Sequence, residues 1–270
     1  MTDGPDRTNR LPPTDYLDIR REFSSQRLSD VQAAFDPLTA ARIESIGLAE
    51  GWACLVVGGG RDSIASWLGA RVGPAGRVVM TDADLPTDGP EPAGFDVRPD
   101  DIRSAEIDGD AYDLAHSRHL LMAMREPQVA LEHMVASLRP GGWLVVEEGD
   151  FDEPAVVTRE HPAAASFERV WHAMTAFLSG SMDIRYGTRL PRIGWCLGLD
   201  NFRTEATRTY SPGGEPGPMA MKLALDMFRE QLLASTALWE DDLDMATAAL
   251  EDPSFVCGTP MSYAIFGRKR

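Results

Sequence analysis

The fold is decided by residues 52–82, which read WACLVVGGGRDSIASWLGARVGPAGRVVMTD. Residues 52–57 form a continuous apolar run that ends in a row of glycines, a pattern typical of a buried parallel strand. Apolar residues then recur at helical spacing from Ile64 to Val72, and a second apolar run begins at Arg77 after a turn rich in glycine. Strand, helix and strand within about 30 residues predict a βαβ unit.

The alternation of strand and helix continues along the chain. Apolar runs predict further strands at 95–98, 112–116, 143–147, 202–210 and 261–267, with an amphipathic helix over 126–138. This order favours a doubly wound α/β fold with a mainly parallel sheet and right-handed crossovers. The predicted organisation is a flexible tail (1–15), an N-terminal helical cap (16–50), the α/β core (51–150), a helical lid or substrate region (151–200), and the C-terminal part of the core sheet with a helical insertion (201–270).

Composition excludes several classes of protein. The formal net charge is −16, so nucleic acid is not expected as a partner. No apolar run approaches the roughly 18 residues of a membrane span, and the N-terminus lacks the pattern of a signal peptide. Cys54, Cys196 and Cys257 are too far apart to form a CxxC pair, which favours free thiols. We therefore expect a cytoplasmic protein.

Ligands of a doubly wound sheet bind beyond the carboxyl ends of its strands. After the first strand, Gly58 and Gly60 permit a tight turn and a close approach of the backbone to a ligand. Asp82 ends the second strand, and a carboxylate there accepts hydrogen bonds from a ribose diol. The alternative for Asp82 is a turn residue at a strand end. The dinucleotide motif G-x-G-x-x-G would need glycine at position 63, where the chain has Ser63.

Several stretches, taken in their order and spacing, resemble class I S-adenosylmethionine (SAM) methyltransferases, especially bacterial enzymes that act on small molecules. They are residues 52–68, 72–82, 112–118, 138–147 and the closing 265–268. The resemblance covers about residues 16–270. It implies a Rossmann-like sheet of seven strands, with the last strand antiparallel and inserted between the two before it.

The resemblance also implies SAM as the cofactor and assigns residues to it. Gly58 and Gly60 would lie beneath the cofactor, Asp82 on its ribose, Asp101 and Ile102 at its adenine, Ser117 and His116 beside its methionine portion, and Gln32 on the helical cap facing it. The activity implied is transfer of a methyl group to an oxygen or nitrogen of an apolar small metabolite in secondary metabolism.

Three positions depart from the family's pattern. Val56 stands where the family usually has an acidic residue, Asp62 replaces the third glycine of the turn, and Ala123 replaces a frequent histidine. These departures leave two alternatives to methyl transfer. One is an enzyme on the same fold that no longer transfers methyl groups, such as a cyclase or isomerase. The other is a binding protein whose cofactor site has decayed.

The candidate catalytic residues are His119 and His116, at the mouth of the fourth strand. His119 is the first choice for a general base, because Ala123 leaves a space that the imidazole can reach. The alternative for both is a structural histidine with hydrogen-bonded nitrogens. Two histidines three residues apart, with no third ligand nearby in the sequence, predict no metal site.

The candidate substrate residues are Glu148 and Asp150, which follow the fifth strand, and Trp171, His172 and Tyr186 in the lid. The crowded carboxylates raise one another's pKa or favour a cationic substrate, and the alternative is a solvated loop. The lid aromatics predict an apolar pocket for a small molecule, unless they form a helical core that faces the sheet.

The helical region 219–250 bears on the oligomeric state. Its apolar residues, among them Met219, Met221 and Phe228, either pack against a second copy of the chain, which would give a homodimer, or cover the sheet within one chain. A small-molecule substrate is the other partner that the sequence predicts.

Overall fold

The structure is a computed structural model that describes residues 25–58, 63–83, 94–104, 107–235 and 237–270. The helices are α1 (Ser25–Ser45), α2 (Ser63–Val72), α3 (Pro127–Ser137), α4 (Ala164–Leu178), α5 (Tyr186–Cys196), α6 (Pro216–Met227), α7 (Arg229–Ser235) and α8 (Glu240–Ala249), with a short 3₁₀ helix at Leu121–Ala123. The strands are β1 (Ala53–Val57), β2 (Arg77–Thr81), β3 (Asp96–Arg98), β4 (Tyr112–Arg118), β5 (Leu138–Asp150), β6 (Ala155–Val156), β7 (Asp200–Thr207), β8 (Tyr210–Pro212), β9 (Val256–Gly258) and β10 (Met261–Arg268).

Seven of these strands form one sheet in the order β3-β2-β1-β4-β5-β10-β7. Strands β1 to β5 pair in parallel with one another. Strand β10 runs antiparallel to both β5 and β7. The last strand is therefore antiparallel and inserted between two others, which confirms the predicted Rossmann-like fold. Because β1, β2, β4 and β5 run in the same direction, their carboxyl ends meet at one edge of the sheet.

Helices cover both faces of the sheet. On one face, Ile43 of α1 and Leu68 of α2 pack with Phe266 of β10. On the other face, Leu131 of α3 and Leu190 of α5 belong to a second layer of the core. Strands that are buried on both faces carry continuous apolar runs, which is the pattern that identified β1 in the sequence.

A further hydrophobic core lies outside the main sheet. Phe167 and Trp171 of α4 belong to it together with Leu225 of α6, Leu243 of α8 and Phe255. Strands β6, β9 and β8 form a small antiparallel sheet next to these helices. The sequence did not predict this sheet, because each of its strands has only two or three residues. The segments predicted as the lid and as the C-terminal insertion therefore share one core.

The predicted lid, 151–200, divides between two parts of the molecule. Helix α4 belongs to the second core, but α5 packs on the main sheet. At Gly194 of α5, an added Cβ would lie 2.6 Å from the ring of Phe202 and 2.8 Å from Ile265 Cδ1. This close approach shows that α5 covers strands β7 and β10 directly.

Several element boundaries differ from the prediction. Strand β5 is longer than the predicted 143–147, because it pairs with β10 as far as Asp150. Strand β4 continues to Arg118, which pairs with Glu147. The predicted helical region 219–250 consists of three helices, α6, α7 and α8. Within the described ranges, no helix combines the length and the apolar character needed to cross a membrane.

Candidate functional site

The carboxyl ends of β1 and β2 border a pocket, which we call the strand-end pocket. Its wall includes Val57, Gly58, Thr81, Asp82, Asp101 and Ile102. Leu120, Ala123 and Met124, which follow β4, line it from another side. Because β1 is flanked by β2 and β4 in the sheet, the segments that leave all three strands converge at this point.

The backbone turns sharply at Gly58. Its φ is +75°, in the region that L side chains rarely adopt. A Cβ at this position would also lie 2.6 Å from the methyl carbons of Leu120. The amide of Gly58 donates a hydrogen bond to Thr81 O at 2.7 Å, so the turn is tied to the end of β2. Gly60 and Asp62 lie outside the described residues, and their roles stay predictions.

Two polar residues at the end of β2 line the strand-end pocket. Asp82 is only 5% exposed, and its amide donates to Arg98 O at 3.2 Å. The hydroxyl of Thr81 is buried and has no hydrogen-bond partner among the described residues. A buried hydroxyl without a partner costs about 1–3 kcal/mol. A ligand that bonds to Thr81 Oγ1 would offset this cost.

The segment after β3 presents a carboxylate to the same pocket. Asp101 accepts hydrogen bonds from Arg103, with Nε donating to Oδ1 at 3.0 Å and Nη2 to Oδ2 at 2.6 Å. These hydrogen bonds lower the pKa of Asp101, so its carboxylate is ionised at neutral pH. The next residue, Ile102, is buried, and its carbonyl oxygen lies 2.6 Å from Nδ1 of His133. His133 thus has a structural role.

A larger cavity, of about 770 Å³, adjoins the strand-end pocket. We call it the lid cavity. Its wall consists of residues 122–125 after β4, one face of α4 and the connection 181–185. Ala123 and Met124 line both spaces, so the two spaces adjoin at this short segment. Sites for small molecules commonly have volumes of about 300–1,000 Å³.

Most charged groups of the lid cavity are already paired. Arg185 forms an ion pair with Asp152, and Asp183 forms one with Arg189 at 2.5 Å. Arg125, which also lines the cavity, has no ion-pair partner in the part of the chain that the structure describes. The cavity therefore combines apolar methionine, alanine and isoleucine surface with hydroxyl groups and a cation.

The sequence of the chain matches the model of one protein family. A family model described as a methyltransferase domain matches residues 28–183, which is more than half of the chain. The chain belongs to the methyltransferase domain family. No curated protein matches its sequence.

Solved structures, among them a methyltransferase, share the fold. Phosphoethanolamine N-methyltransferase 2 of Haemonchus contortus is similar with a TM-score of 0.56 and 12% identity, over 97% of this chain and 61% of that one. That enzyme was solved with phosphomonomethylethanolamine and S-adenosylhomocysteine, and also with SAM. The YcgJ protein of Bacillus subtilis has a TM-score of 0.53 and 11% identity, over 86% of this chain and 97% of its own. The chain thus spans 61% of the length of the Haemonchus enzyme.

The methyltransferase family supports SAM as the cofactor, and some residues that line the strand-end pocket suit it. Gly58 presents backbone without a side chain at the pocket wall, where an added Cβ would collide with Leu120. Asp82 supplies a carboxylate of the kind that binds a ribose diol, and Thr81 supplies a buried hydroxyl that lacks a partner among the described residues. A carboxylate and a hydroxyl are groups that can bond to a nucleoside, and the assignment of single residues to the cofactor stays a prediction.

Among the described residues of the chain, no group of three or more His, Cys, Asp and Glu side chains is placed to hold a metal ion. The fully buried thiol of Cys54 on β1 has its pKa raised to about 12 by burial and by the charge of Asp113. Cys257 is likewise buried, and burial raises its pKa to about 12. Both thiols are therefore protonated and belong to the cores.

Glu148, a predicted substrate residue, is fully buried. Its carboxylate accepts the backbone N–H groups of Leu120, Leu121 and Met122. Burial raises the pKa of Glu148 to about 8, against the lowering effect of these hydrogen bonds. The structure thus directs this carboxylate to the backbone after β4. The other predicted carboxylate, Asp150, accepts a hydrogen bond from the amide two residues ahead at 3.0 Å.

His116, a predicted catalytic residue, lies in a buried network on the face that α1 covers. Its Nε2 lies 3.1 Å from Glu147 Oε1, and Arg42 Nη1 donates to Glu147 Oε2 at 2.5 Å. Burial by itself raises the pKa of Glu147, but the hydrogen bond with His116 and the charges of His116, Arg42 and Arg118 lower it to about 2. The network joins α1 to β4 and β5.

His119, the predicted general base, follows β4 in a left-handed conformation with φ +51°. Its ring meets Phe35 edge-on with centroids 4.9 Å apart, and it meets Phe151 at 6.0 Å. Burial, reinforced by the charge of Arg118, lowers the pKa of His119 to about 4. The imidazole is therefore neutral at neutral pH, and its role as a base stays a prediction.

The remaining predicted residues fall into different surroundings. Ser117 is buried in β4, and its hydroxyl has no partner among the described residues. Gln32 is half-buried on α1. Trp171 and Tyr186 are buried members of the hydrophobic cores, with Trp171 Nε1 donating to a backbone carbonyl at 2.8 Å. His172 lines the lid cavity.

Sequence reasoning missed most of the lid cavity. The unpredicted members of its wall include Arg125, Asp152, Thr175, Ala176, Ser179 and Asp183. One signal was present in the sequence: positions 172, 175, 176 and 179 have the spacing of a single helix face. The segment 181–185 carried no such signal, because it reaches the cavity through an irregular connection.

Proposed function

We propose that this chain transfers a methyl group from SAM to an oxygen or nitrogen of a small, largely apolar molecule, as a step of a biosynthetic pathway. The observation that carries the proposal is the wall shared by the two spaces. Ala123 and Met124 line both the strand-end pocket and the lid cavity. A cofactor in the first space and an acceptor in the second would therefore meet at this segment, as an in-line displacement requires.

The strand-end pocket would hold SAM through residues of three strand ends. Asp82 would accept hydrogen bonds from the ribose hydroxyls, Asp101 and Ile102 would border the adenine, and Gly58 would let the backbone approach the cofactor. When bound, SAM supplies a methyl group on a positively charged sulfur, which makes that carbon open to attack by an acceptor's lone pair. The work of the chain is to bind and orient the two molecules.

The lid cavity suits an acceptor with an apolar body and a polar or charged group. Met122, Met182 and Ile184 supply apolar contacts, while Thr175 and Ser179 add hydroxyl oxygens. Methionine side chains adapt to irregular shapes, so this wall accommodates ring systems as well as chains. An acceptor bound there would displace water from the part of the wall that it contacts.

A base is needed only for some acceptors. A neutral amine attacks with its own lone pair and loses its proton to solvent afterwards, whereas a hydroxyl reacts faster when a base removes the proton. His119 is neutral but has a pKa near 4, which makes it a weak base at neutral pH. His172 is the imidazole that lines the cavity. We therefore propose that proximity supplies most of the rate.

The first test is a calorimetric titration of the purified protein with SAM and with S-adenosylhomocysteine. Micromolar binding of both would support the proposal, and a panel of phenols, amines and carboxylic acids would then be screened for release of S-adenosylhomocysteine. A folded protein that binds neither compound would contradict the proposal.

A pair of variants on α4 separates the acceptor cavity from the cofactor pocket. Ala176 lines the lid cavity, whereas Ala165 is exposed on the same helix and outside the cavity wall. Ala176→Trp should abolish turnover of an identified acceptor and leave the affinity for S-adenosylhomocysteine unchanged. Ala165→Trp, the control, should leave both unchanged. Equal turnover by both variants would place the acceptor elsewhere.

The same experiments distinguish the alternative of a cyclase or isomerase. In that case a substrate would be converted without release of S-adenosylhomocysteine. Val56, one departure that motivates this alternative, is buried in the core with Ile64 and Leu114. The cytoplasmic location and the homodimer predicted from the sequence are also part of the proposal. Light scattering of the purified chain in solution tests the homodimer.

A further inference from the structure

One carboxylate holds the segment that follows β4. Glu148 Oε1 accepts the amide N–H of Leu120 at 3.1 Å and that of Leu121 at 2.7 Å, and Oε2 accepts that of Met122 at 3.4 Å. The amide of His119 donates to Glu147 O at 2.9 Å. Four successive amides after β4 therefore bond to two successive residues of β5.

The segment after β4 that Glu148 binds lines both the strand-end pocket and the lid cavity. Leu120 lines the strand-end pocket, and its methyl groups lie where a side chain at Gly58 would be. Met122 lines the lid cavity, and Ala123 belongs to both walls. A displacement of this segment would therefore change the cofactor pocket and the acceptor cavity together.

Glu148 lies where helix α5 meets the end of β5. Helix α5 begins directly against the end of β5, since a Cβ at Gly187 would lie 2.8 Å from Gly149 O and 2.9 Å from Glu148 O. The carboxylate itself has no exposure to solvent. A buried carboxylate needs hydrogen-bond donors, and for Glu148 the donors are these backbone amides.

We propose that Glu148 is a positioning residue, whose carboxylate sets the backbone of residues 120–122 and thereby the segment that lines both the cofactor pocket and the acceptor cavity. The proposal rests on the proposed function for its effect on methyl transfer. Its effect on the backbone is independent of that function. Glu148 then touches neither cofactor nor acceptor and acts through Leu120, Leu121 and Met122.

The chain offers a matched control. Asp113 at the start of β4 is also a buried carboxylate, 5% exposed, which accepts a backbone amide, that of Ala53, at 2.9 Å. It lies near the amino ends of β1 and β4 and pairs with Arg139. Loss of the Asp113 carboxylate should reduce the stability of the protein without changing the strand-end pocket or the lid cavity.

The test uses four variants of the full chain: Glu148→Gln, Glu148→Asp, Glu148→Ala and Asp113→Asn. The first measurement is amide hydrogen exchange. We expect exchange of the amides of residues 120–122 to rise by at least about tenfold in Glu148→Asp and Glu148→Ala, relative to amides in the core of β5. Glutamine keeps a carbonyl oxygen for Leu120 and Leu121, so Glu148→Gln should stay close to the wild type, as should Asp113→Asn in this segment.

The second measurement is the affinity for S-adenosylhomocysteine by calorimetry, together with the urea midpoint. Glu148→Asp should bind about tenfold more weakly than the wild type, and Glu148→Gln within about threefold. Asp113→Asn should bind as the wild type does, even with a lower urea midpoint. If Glu148→Ala does not fold, the aspartate and glutamine variants still decide the question, because aspartate keeps the carboxyl group and glutamine keeps the length of the side chain.

The outcomes separate this inference from the proposed function. Unchanged exchange at residues 120–122 in Glu148→Asp would overturn the positioning role, whatever the cofactor. A wild-type protein that binds no S-adenosylhomocysteine would contradict the proposed function, while the exchange measurement would still test Glu148. Weaker binding in Asp113→Asn, equal to that in Glu148→Asp, would mean that general destabilisation explains the effect and would also overturn the positioning role.

Discussion

Arg42 Nη1 lies 2.5 Å from Glu147 Oε2 in a setting where both side chains are almost fully buried. The guanidinium also donates to Ser262 Oγ at 2.9 Å. Arg42 belongs to α1, Glu147 to β5 and Ser262 to β10, so this ion pair attaches the helical cap to the centre of the sheet. Removal of one partner from a buried pair leaves an uncompensated charge, which is far more costly than loss of a surface pair.

Arg42→Met should therefore lower the free energy of unfolding by about 3–5 kcal/mol. The double variant Arg42→Met with Glu147→Gln should be more stable than the single variant, because the amide removes the buried charge and still bonds to His116. Arg71→Met is the control, since Arg71 and Glu44 form an exposed pair that contributes about 1 kcal/mol or less. Urea unfolding measures all three, and a double variant less stable than Arg42→Met would contradict this account.

The same ion pair should make stability depend on acid pH. The pKa of Glu147 is about 2, below its ordinary value of 4.5. The folded state thus releases the proton more readily than the unfolded state, so the contribution is present above pH 4.5 and disappears as the pH falls towards 2. The difference in stability between Glu147→Gln and the wild type should shrink over this window. A difference that stays constant between pH 5 and pH 2 would show that the charge of Glu147 does not contribute.

Gly58→Ala should weaken the binding of S-adenosylhomocysteine and lower stability. The positive φ alone costs roughly 1–2 kcal/mol for an L residue, and the new Cβ would push against Leu120. Gly73→Ala separates the two effects, because Gly73 has φ +68° and nothing within 4 Å of an added Cβ. We expect Gly73→Ala to lose stability only, as measured by urea unfolding and calorimetry. Equal affinity of both variants for S-adenosylhomocysteine would show that the missing side chain at Gly58 is unimportant for binding.

His119 should titrate well below an ordinary histidine. Its pKa is about 4 because burial disfavours the charged ring and Arg118 repels it. In an NMR titration, the His119 signal, assigned by its loss in His119→Gln, should have a midpoint near pH 4. Phe35→Ala opens one side of the ring and should move the midpoint towards 6.5. A wild-type midpoint near 6.5 would contradict this prediction and would support His119 as a general base, because its pKa would then lie close to neutral pH.

The parts of the structure with local sequence signals were predictable. The run 52–57, the glycines after it and Asp82 were sufficient for the βαβ unit, because a strand buried on both faces leaves a continuous apolar run. The order of later runs and the family resemblance were sufficient for the antiparallel last strand. The glycines and Asp82 also marked the edge of the sheet where the strand-end pocket lies.

The parts that depend on tertiary contacts were not predictable. Glu148 was predicted as a substrate residue because it comes directly after the predicted strand 143–147, whereas its hydrogen-bond partners are amides 26–28 residues away in the sequence. The ion pair of Arg42 and Glu147 spans 105 positions. The second core joins α4 to α8 across most of the C-terminal half. The periodicity of apolar residues cannot predict such pairings, because it indicates which face of a helix or strand is buried and not which residues pack against that face.

Glu148 should give the protein a pH dependence opposite to that of Glu147. Burial raises the pKa of Glu148 to about 8, against an ordinary value of 4.5. Between these values the folded state holds a proton that the unfolded state has lost, so the contribution of Glu148 to stability is fully present below pH 4.5 and is lost as the pH rises through 8. A proton on Oε2, whose bond to Met122 is the longest of the three, leaves Oε1 free to accept from Leu120 and Leu121.

Glu148→Gln should remove this dependence, because the amide does not titrate. The stability of the wild type relative to Glu148→Gln should therefore fall between pH 5 and pH 8, as followed by urea unfolding at several pH values. Asp113→Asn, which keeps Glu148, supplies the control: the same fall should appear when Glu148→Gln is compared with its parent in the Asp113→Asn background. If the wild type instead gains stability relative to Glu148→Gln as the pH rises, the backbone hydrogen bonds outweigh burial and Glu148 is ionised in the folded state.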